Sequence, residues 1–331
     1  MAAVDSFSFL INQIAQVGRE NWDYFIDIVA IVGAWYALRF TAEFGYHTFV
    51  HYRRAVFSAR NFVKHYGRWA VVTGCTSGIG KQFCRQLAER GVNIVLIGRN
   101  SELCAKESRY LEKRYGVHTF TIIHDFCTAS ADQYAGITDI LKDKEIGILI
   151  NNAGVHYDHP MYFTEVDPER LYAITQVNMT GLVMLTHAIV PSMIARRKGL
   201  IVNLSSGAGW LPVPLITLYS ASKAFVSHFS KSLGMELKQH NIHIQSLEPM
   251  YISTRMSKFS SLLSSTSPNA KIYVKNALKS FGKVRHGTGH YPHTIQMLII
   301  RWCPHWLAVR ASAILQHHLH SEGSQKKLKK E

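Results

Sequence analysis

From residue 68 to residue 248 short β-branched apolar runs alternate with longer stretches of helical spacing. The runs at 69–73, 93–98, 119–124, 147–151, 200–204 and 243–247 predict strands, and the windows at 79–90, 102–115, 131–142, 168–197 and 219–240 predict helices. Strands that are apolar throughout, separated by helices, imply a parallel sheet covered on both faces. The expected fold class is therefore α/β, a doubly wound parallel sheet in a single domain. Such sheets bind ligands beyond the carboxyl ends of their strands, where the strand order reverses. The chemistry is accordingly expected just after strands.

Outside this alternation the pattern changes. The apolar run 28–38 is free of charge but shorter than the ~20 residues that comfortably span a bilayer, and Asp27 interrupts it. Trp22, Tyr24, Trp35 and Tyr36 surround it, and Arg39, Arg53, Arg54, Arg60, Lys64 and Arg68 follow it. Aromatic flanks and basic residues after the segment predict an N-terminal membrane-associating helix with the large domain on the cytosolic side. The first residues lack the basic start and small-residue cleavage site of a signal peptide. Near the other end, 294–315 is rich in Ile, Leu, Met and Trp but is broken by Arg301, Pro304 and Arg310. That fits a membrane-surface segment or a lid over an apolar pocket. Expected boundaries are 1–66 for the membrane-associating segment, 67–293 for the α/β domain with a substrate insertion at about 255–293, and 294–331 for the apolar surface segment and basic tail. Lys327 and Lys329 in the tail sit where a KxKxx retrieval signal of endoplasmic-reticulum membrane proteins has its lysines, and a plain solvated basic tail is the alternative.

Composition narrows the classes. The 331 residues, 47% of them apolar, can bury a full core, and the formal charge of +15 suits an anionic membrane or a phosphorylated ligand. No zinc-finger spacing or RNA-recognition motif is present, so no nucleic-acid partner is expected. Cys75, Cys84, Cys104, Cys127 and Cys303 are odd in number and form no CxxC pair, which speaks against a disulfide framework. No metal is expected: His317, His318 and His320 lack accompanying acidic or thiol ligands.

The first predicted strand runs into Gly74, Cys75, Thr76, Ser77, Gly78, Ile79 and Gly80, then a helix. Glycines permit a tight turn and close approach to a pyrophosphate, whose charge the free N–H groups of a helix start stabilise. At the end of the second strand stands Arg99, where a carboxylate would hold the ribose hydroxyls of NAD; its guanidinium suits a 2′-phosphate instead. NADPH/NADP+ is therefore the expected cofactor, with Asp125, after the third strand, near the adenine.

Thr73–Gly80 (TGCTSGIG), Asn151–Gly154 (NNAG), Asn178, Ser206 and Tyr219–Lys223 (YSASK) together resemble the signature of the classical short-chain dehydrogenases/reductases, a Rossmann-type family, over roughly residues 68 to 256. Tyr219 and Lys223 are four apart and share a helix face. An ammonium there is expected to bring a phenol from about pKa 10 toward the working range. The resemblance implies that Tyr219 exchanges a proton with a substrate carbonyl oxygen, that Ser206 hydrogen-bonds that oxygen, and that Asn178 holds a water linking Lys223 to solvent. It places Asn151 and Gly154 along the cofactor. Pro249, Ile252 and Thr254 match the family's PGxVxT segment at the nicotinamide, with Met250 replacing its Gly.

The 206–215 stretch SGAGWLPVPL and the long insertion after Thr254 resemble the 17β-hydroxysteroid dehydrogenase type 3 and type 12 branch, which includes very-long-chain 3-oxoacyl-CoA reductases. MAAVDSF and VGAWY near the start resemble hydroxysteroid dehydrogenase-like proteins in which the catalytic Tyr can be replaced; here it is present. The resemblance implies a lipophilic substrate, a 3-oxoacyl-CoA or a 17-ketosteroid, at the endoplasmic-reticulum membrane, and a homodimer paired through the long helices around Asn178 and Tyr219. A catalytically silent scaffold and a mitochondrial reductase are the alternatives.

Overall fold

The computed structural model describes residues 2–56, 61–254 and 267–328, and the chain divides into two compact units, Met1–Arg53 and Arg54–Glu331. Part of the expected insertion, and Lys329 of the tail motif, lie outside the described residues.

The first unit lies within a single helix, α1 (Ala2–Val56), in which Trp22, Tyr24, Trp35 and Tyr36 are exposed. Its stretch Ala15–Tyr46, 32 residues long, contains an 18-residue segment with a mean hydropathy of 1.5, none of it buried. At 1.5 Å per residue it exceeds the ~30 Å of a bilayer core. The charge-free run 28–38 thus understates the element, because scattered charges interrupt an apolar run without interrupting a helix.

In the second unit the chain runs through α2 (Phe62–Tyr66), β1 (Trp69–Thr73), α3 (Gly78–Ala88), β2 (Asn93–Gly98), α4 (Ser101–Tyr115), β3 (Thr119–Ile123), α5 (Ala131–Leu141), β4 (Ile146–Asn151), α6 (Pro168–Thr175), α7 (Gly181–Arg196), β5 (Gly199–Leu204), α8 (Thr217–Glu236), β6 (Ile242–Leu247), α9 (Ala270–Leu278), β7 (His286–Gly287), α10 (Tyr291–Trp302) and α11 (His305–Leu328). All strands are parallel in the order β3-β2-β1-β4-β5-β6-β7. The reversal falls between β1 and β4, so the ends of these two strands open the ligand crevice.

Adjacent strand residues face opposite sides of a sheet, and each side carries its own core. Val72, Leu96 and Ile148 pack with Phe83, Leu87, Leu111 and Tyr273 on one side. Val71, Val95 and Leu149 pack with Ile137, Leu185, Ile189 and Met193 on the other. Phe62 and Tyr66 of α2 belong to the first core, so these residues, expected with the membrane segment, pack within the α/β unit. A smaller cluster of Tyr157, Val166, Ile174, Val213 and Ile216 lies under the loops beyond the strand ends.

The helical window 168–197 is not one α-helix. A π-helical turn, Gln176–Thr180, separates α6 from α7, and the Gly181 amide donates to the Gln176 carbonyl. The apolar segment 294–315 is likewise divided, at Cys303–Pro304, between α10 and α11.

Candidate active site

β1 delivers Thr73 to the crevice. Its hydroxyl accepts hydrogen bonds from the backbone amides of Asn152 (2.9 Å) and Ala153 (2.8 Å), which ties the end of β1 to the loop after β4. The Asn152 side chain donates to the Thr73 carbonyl at 2.9 Å. Beyond Thr73 the chain turns through Gly74 (φ +63°) and Gly78 (φ +53°), conformations that favour glycine. At Gly80 a Cβ would run into the Gly74 carbonyl oxygen and the Asn152 amide, so this turn exists only with glycine there. Ser77 starts α3 without a side-chain cap bond, leaving the first helix amides for an anion. Ile79 packs on the core, so it serves the turn through its backbone. Thr76 lies against Gly98, and the Thr254 methyl lies 3.6 Å from the Cβ position of Gly78. The segment of Pro249, Ile252 and Thr254 therefore borders the glycine turn, and the Pro249 carbonyl accepts from the Gly207 amide at 2.8 Å. These features fit a dinucleotide: a tight glycine turn, an unpaired helix start and an open strand-end crevice.

Arg99 is exposed at the end of β2 and reaches Asp125 at 4.0 Å. The Asn151 side chain makes no hydrogen bond to the glycine turn; its buried amide donates to Thr186 (2.9 Å) and Asn203 (2.8 Å). Its neighbour Asn152 meets the turn instead, as strand alternation requires.

The second group of residues comes from β5, α8 and the π-turn. Ser206 follows β5, accepts from the Ala208 amide at 3.1 Å and lies beside the Tyr219 hydroxyl. Tyr219 lies in the first turn of α8. One turn on, buried Lys223 donates to the Leu204 carbonyl at 2.9 Å, with its Nζ 5.6 Å from the Tyr219 ring centroid. Asn178, in the π-turn, accepts from the Val155 amide at 2.8 Å and donates to the Val155 carbonyl (3.0 Å) and to Ser222 (3.1 Å). At Gly154 a Cβ would stand 3.4 Å from Asn178 Oδ1 and 3.6 Å from Lys223 Nζ, so the two groups converge on that glycine.

Burial pushes the Tyr219 phenol up to about 12, against a lowering by the neighbouring Ser206 hydroxyl, with nearby Tyr251 raising it further. Burial brings Lys223 down to about 8. Desolvation, not the ammonium one turn away, is the largest influence on the phenol, and Tyr219 holds its proton at neutral pH.

Several residues at this site carry no signal in the motif. The His156 ring lies tilted against Tyr219, and its Nδ1 donates to the Tyr157 carbonyl at 2.9 Å. The Tyr157 hydroxyl accepts from the Leu218 amide at 3.1 Å, at the start of α8. Trp210 donates at 2.7 Å to buried Glu248, which also accepts from Ser246 at 3.0 Å. Leu215 sits at φ +63° while its carbonyl accepts from Met161 at 2.8 Å, a strained position of the kind that clusters at functional sites. From α11, Gln316 donates to the Tyr251 hydroxyl at 3.5 Å and His320 to the Pro160 carbonyl at 2.7 Å, so this helix roofs the loops around the site. His156 could have been noticed as an imidazole directly after NNAGV; Tyr251 and Gln316 are 65 residues apart and only the fold joins them.

The short chain dehydrogenase family model matches residues 68–262. The protein named "Inactive hydroxysteroid dehydrogenase-like protein 1" from Pongo abelii is 39% identical over 329 residues, covering 97% of this chain and 98% of that protein. The very-long-chain 3-oxoacyl-CoA reductase of Rattus norvegicus is 39% identical over 243 residues, covering 73% of this chain and 77% of the reductase. A solved short-chain dehydrogenase from Sphingobium yanoikuyae in complex with NADPH superposes with a TM-score of 0.59 at 27% identity, covering 64% of this chain and 83% of that one. With its parallel sheet, its glycine turn and Ser206, Tyr219 and Lys223 at one strand-end crevice, this chain belongs to the short-chain dehydrogenase family.

Proposed function

We propose that the chain is an NADPH-dependent ketoreductase acting on a lipophilic ketone, held by α1 at the endoplasmic-reticulum membrane with its catalytic unit in the cytosol. The observation that carries this reading is the partly buried Tyr219 phenol, with Ser206 beside it and the Lys223 amine one turn away.

Gly74, Thr76, Ser77, Gly78, Ile79 and Gly80 would hold the pyrophosphate, Arg99 the 2′-phosphate, Asp125 the adenine side, and Asn151, Gly154, Pro249, Ile252 and Thr254 the nicotinamide half. When bound, NADPH supplies the hydride. The protein's part is the proton and the orientation. Ser206 donates to the substrate carbonyl oxygen and fixes its direction. Tyr219, protonated at neutral pH, gives its proton to that oxygen as the C=O bond becomes CH–OH. Lys223 and Asn178, converging at Gly154, provide the route by which the phenolate regains a proton.

The apolar wall of Trp210, Leu211, Val213 and Leu215 suits a greasy substrate, and the resemblance to the rat reductase favours a 3-oxoacyl-CoA, with a 17-ketosteroid as the other lipophilic class. NADPH consumption with both substrates, wild type beside Tyr219→Phe, tests the assignment: turnover that Tyr219→Phe abolishes supports it. Identical traces favour a second reading, a catalytically silent scaffold, for which the name of the Pongo abelii relative speaks. Alkaline carbonate extraction of endoplasmic-reticulum and mitochondrial fractions tests the location. Exposed Phe225 and Met235 on α8 suit pairing of two copies, and light scattering in detergent showing only monomer would remove the dimer.

A further inference from the structure

Helices α10 and α11 present large apolar side chains to solvent: Trp306 is 68% exposed, Ile314 65%, Ile299 63% and Leu307 43%. The opposite side of the same helices is built in, with Leu298, Ala308, Gln316 and Leu319 buried. An exposed apolar patch on a helix pair that already has a buried face marks an interaction surface.

The charge around it indicates what kind. Between Glu248 and Glu322 the sequence holds no Asp or Glu and nine Lys and Arg. Two of these, Arg301 and Arg310, are exposed on the same helices as the apolar side chains. A second copy of this face would meet the same positive charge and be repelled. A nucleic acid would match the charge but not bury Ile and Leu. A bilayer with anionic headgroups answers both features: indole and aliphatic groups enter the interfacial region while guanidinium groups stay with the phosphates.

We propose that α10 and α11 form a membrane contact separate from α1, in which Ile299, Trp306, Leu307 and Ile314 insert at the surface of an anionic bilayer and Arg301 and Arg310 pair with lipid phosphates. Gln316, on the inner side of α11, holds Tyr251 beside the catalytic phenol, so the contact sets the roof of the site on the lipid surface. The contact does not depend on the protein being catalytically active.

The test uses the full chain reconstituted in vesicles of brominated phosphatidylcholine, with and without phosphatidylserine. The difference in emission between wild type and Trp306→Phe isolates Trp306, and an unchanged melting temperature shows that the variant folds. The expected result is that bromolipid removes most of this emission, more strongly with phosphatidylserine, and that Arg301→Gln/Arg310→Gln cancels the phosphatidylserine effect. Emission that bromolipid leaves intact overturns the proposal. Quenching by aqueous acrylamide would then mean a face in water, and protection from acrylamide a face covered by α1 or a second copy.

Discussion

The imidazole of His156 rests on the phenol of Tyr219, with ring centroids 4.0 Å apart and planes inclined by 57°. Burial holds this imidazole below its ordinary pKa, against the Tyr157 carbonyl and with Lys223 lowering it further. It is therefore a neutral ring that fixes where the phenolic hydroxyl points. His156→Ala leaves the phenol free to turn and is expected to lower kcat by roughly 10²-fold, the cost of misplacing a reacting group. His156→Phe keeps a ring in place and retains most of the rate. Steady-state NADPH oxidation with a 3-oxoacyl-CoA distinguishes the two, and equal losses would mean that the ring contact is not what matters.

Lys223 makes stability depend on pH. Its folded pKa, about 8, lies below the ordinary 10.5, so between these values the unfolded chain binds more protons than the folded one. Stability therefore rises with pH across this window, and below it the buried amine costs the fold free energy. Wild type should gain in melting temperature between pH 7 and pH 9.5 relative to Lys223→Met, measured in detergent. Parallel curves for the two proteins would contradict this.

Arg99 and Asp125 are 4.0 Å apart with side chains 66% and 39% exposed, a weak pair that leaves the guanidinium free for a phosphate. Arg99→Asp is expected to lower the preference for NADPH over NADH, as the ratio of kcat/KM, by about 10- to 100-fold through loss of charge-assisted hydrogen bonds. Titrating both cofactors against the variant reads the ratio directly.

Trp210 links the apolar wall to the buried carboxylate of Glu248 at 2.7 Å. Trp210→Phe preserves an aromatic wall but strands one carboxylate oxygen, at a cost of about 1.5–3 kcal/mol. A melting temperature lower by several degrees is expected, with Trp210→Phe/Glu248→Gln partly recovering it. An unchanged melting temperature would show that water replaces the indole without loss.

Much of this was legible in the sequence because the strands β1, β2, β4, β5 and β6 are buried on both faces and admit little besides continuous apolar runs. The YSASK spacing likewise places Tyr219 and Lys223 on one helical face. What escaped reading has physical causes. β7 is only His286–Gly287, paired with Ser246 and Leu247, too short to carry an apolar pattern. Periodicity could not detect the slipped hydrogen bond of the π-turn. Spacing alone set an ammonium near the Tyr219 phenol, but the pKa is governed by burial, which only packing reveals. The motif set Asn151 along the cofactor but gave no part to its neighbour Asn152, whose side chain ties the glycine turn to the loop after β4.

The π-turn at Gln176–Thr180 has a consequence for how this chain can vary. Each helical residue advances the azimuth by about 100°, so deleting one residue there would swing α7 around its axis. Leu185, Ile189 and Met193 would leave the sheet, and Asn178 would lose Val155 and Ser222 in the same event. Catalytic register and hydrophobic docking are thus keyed by one surplus residue, and descent can exchange side chains in this stretch far more readily than it can change its length.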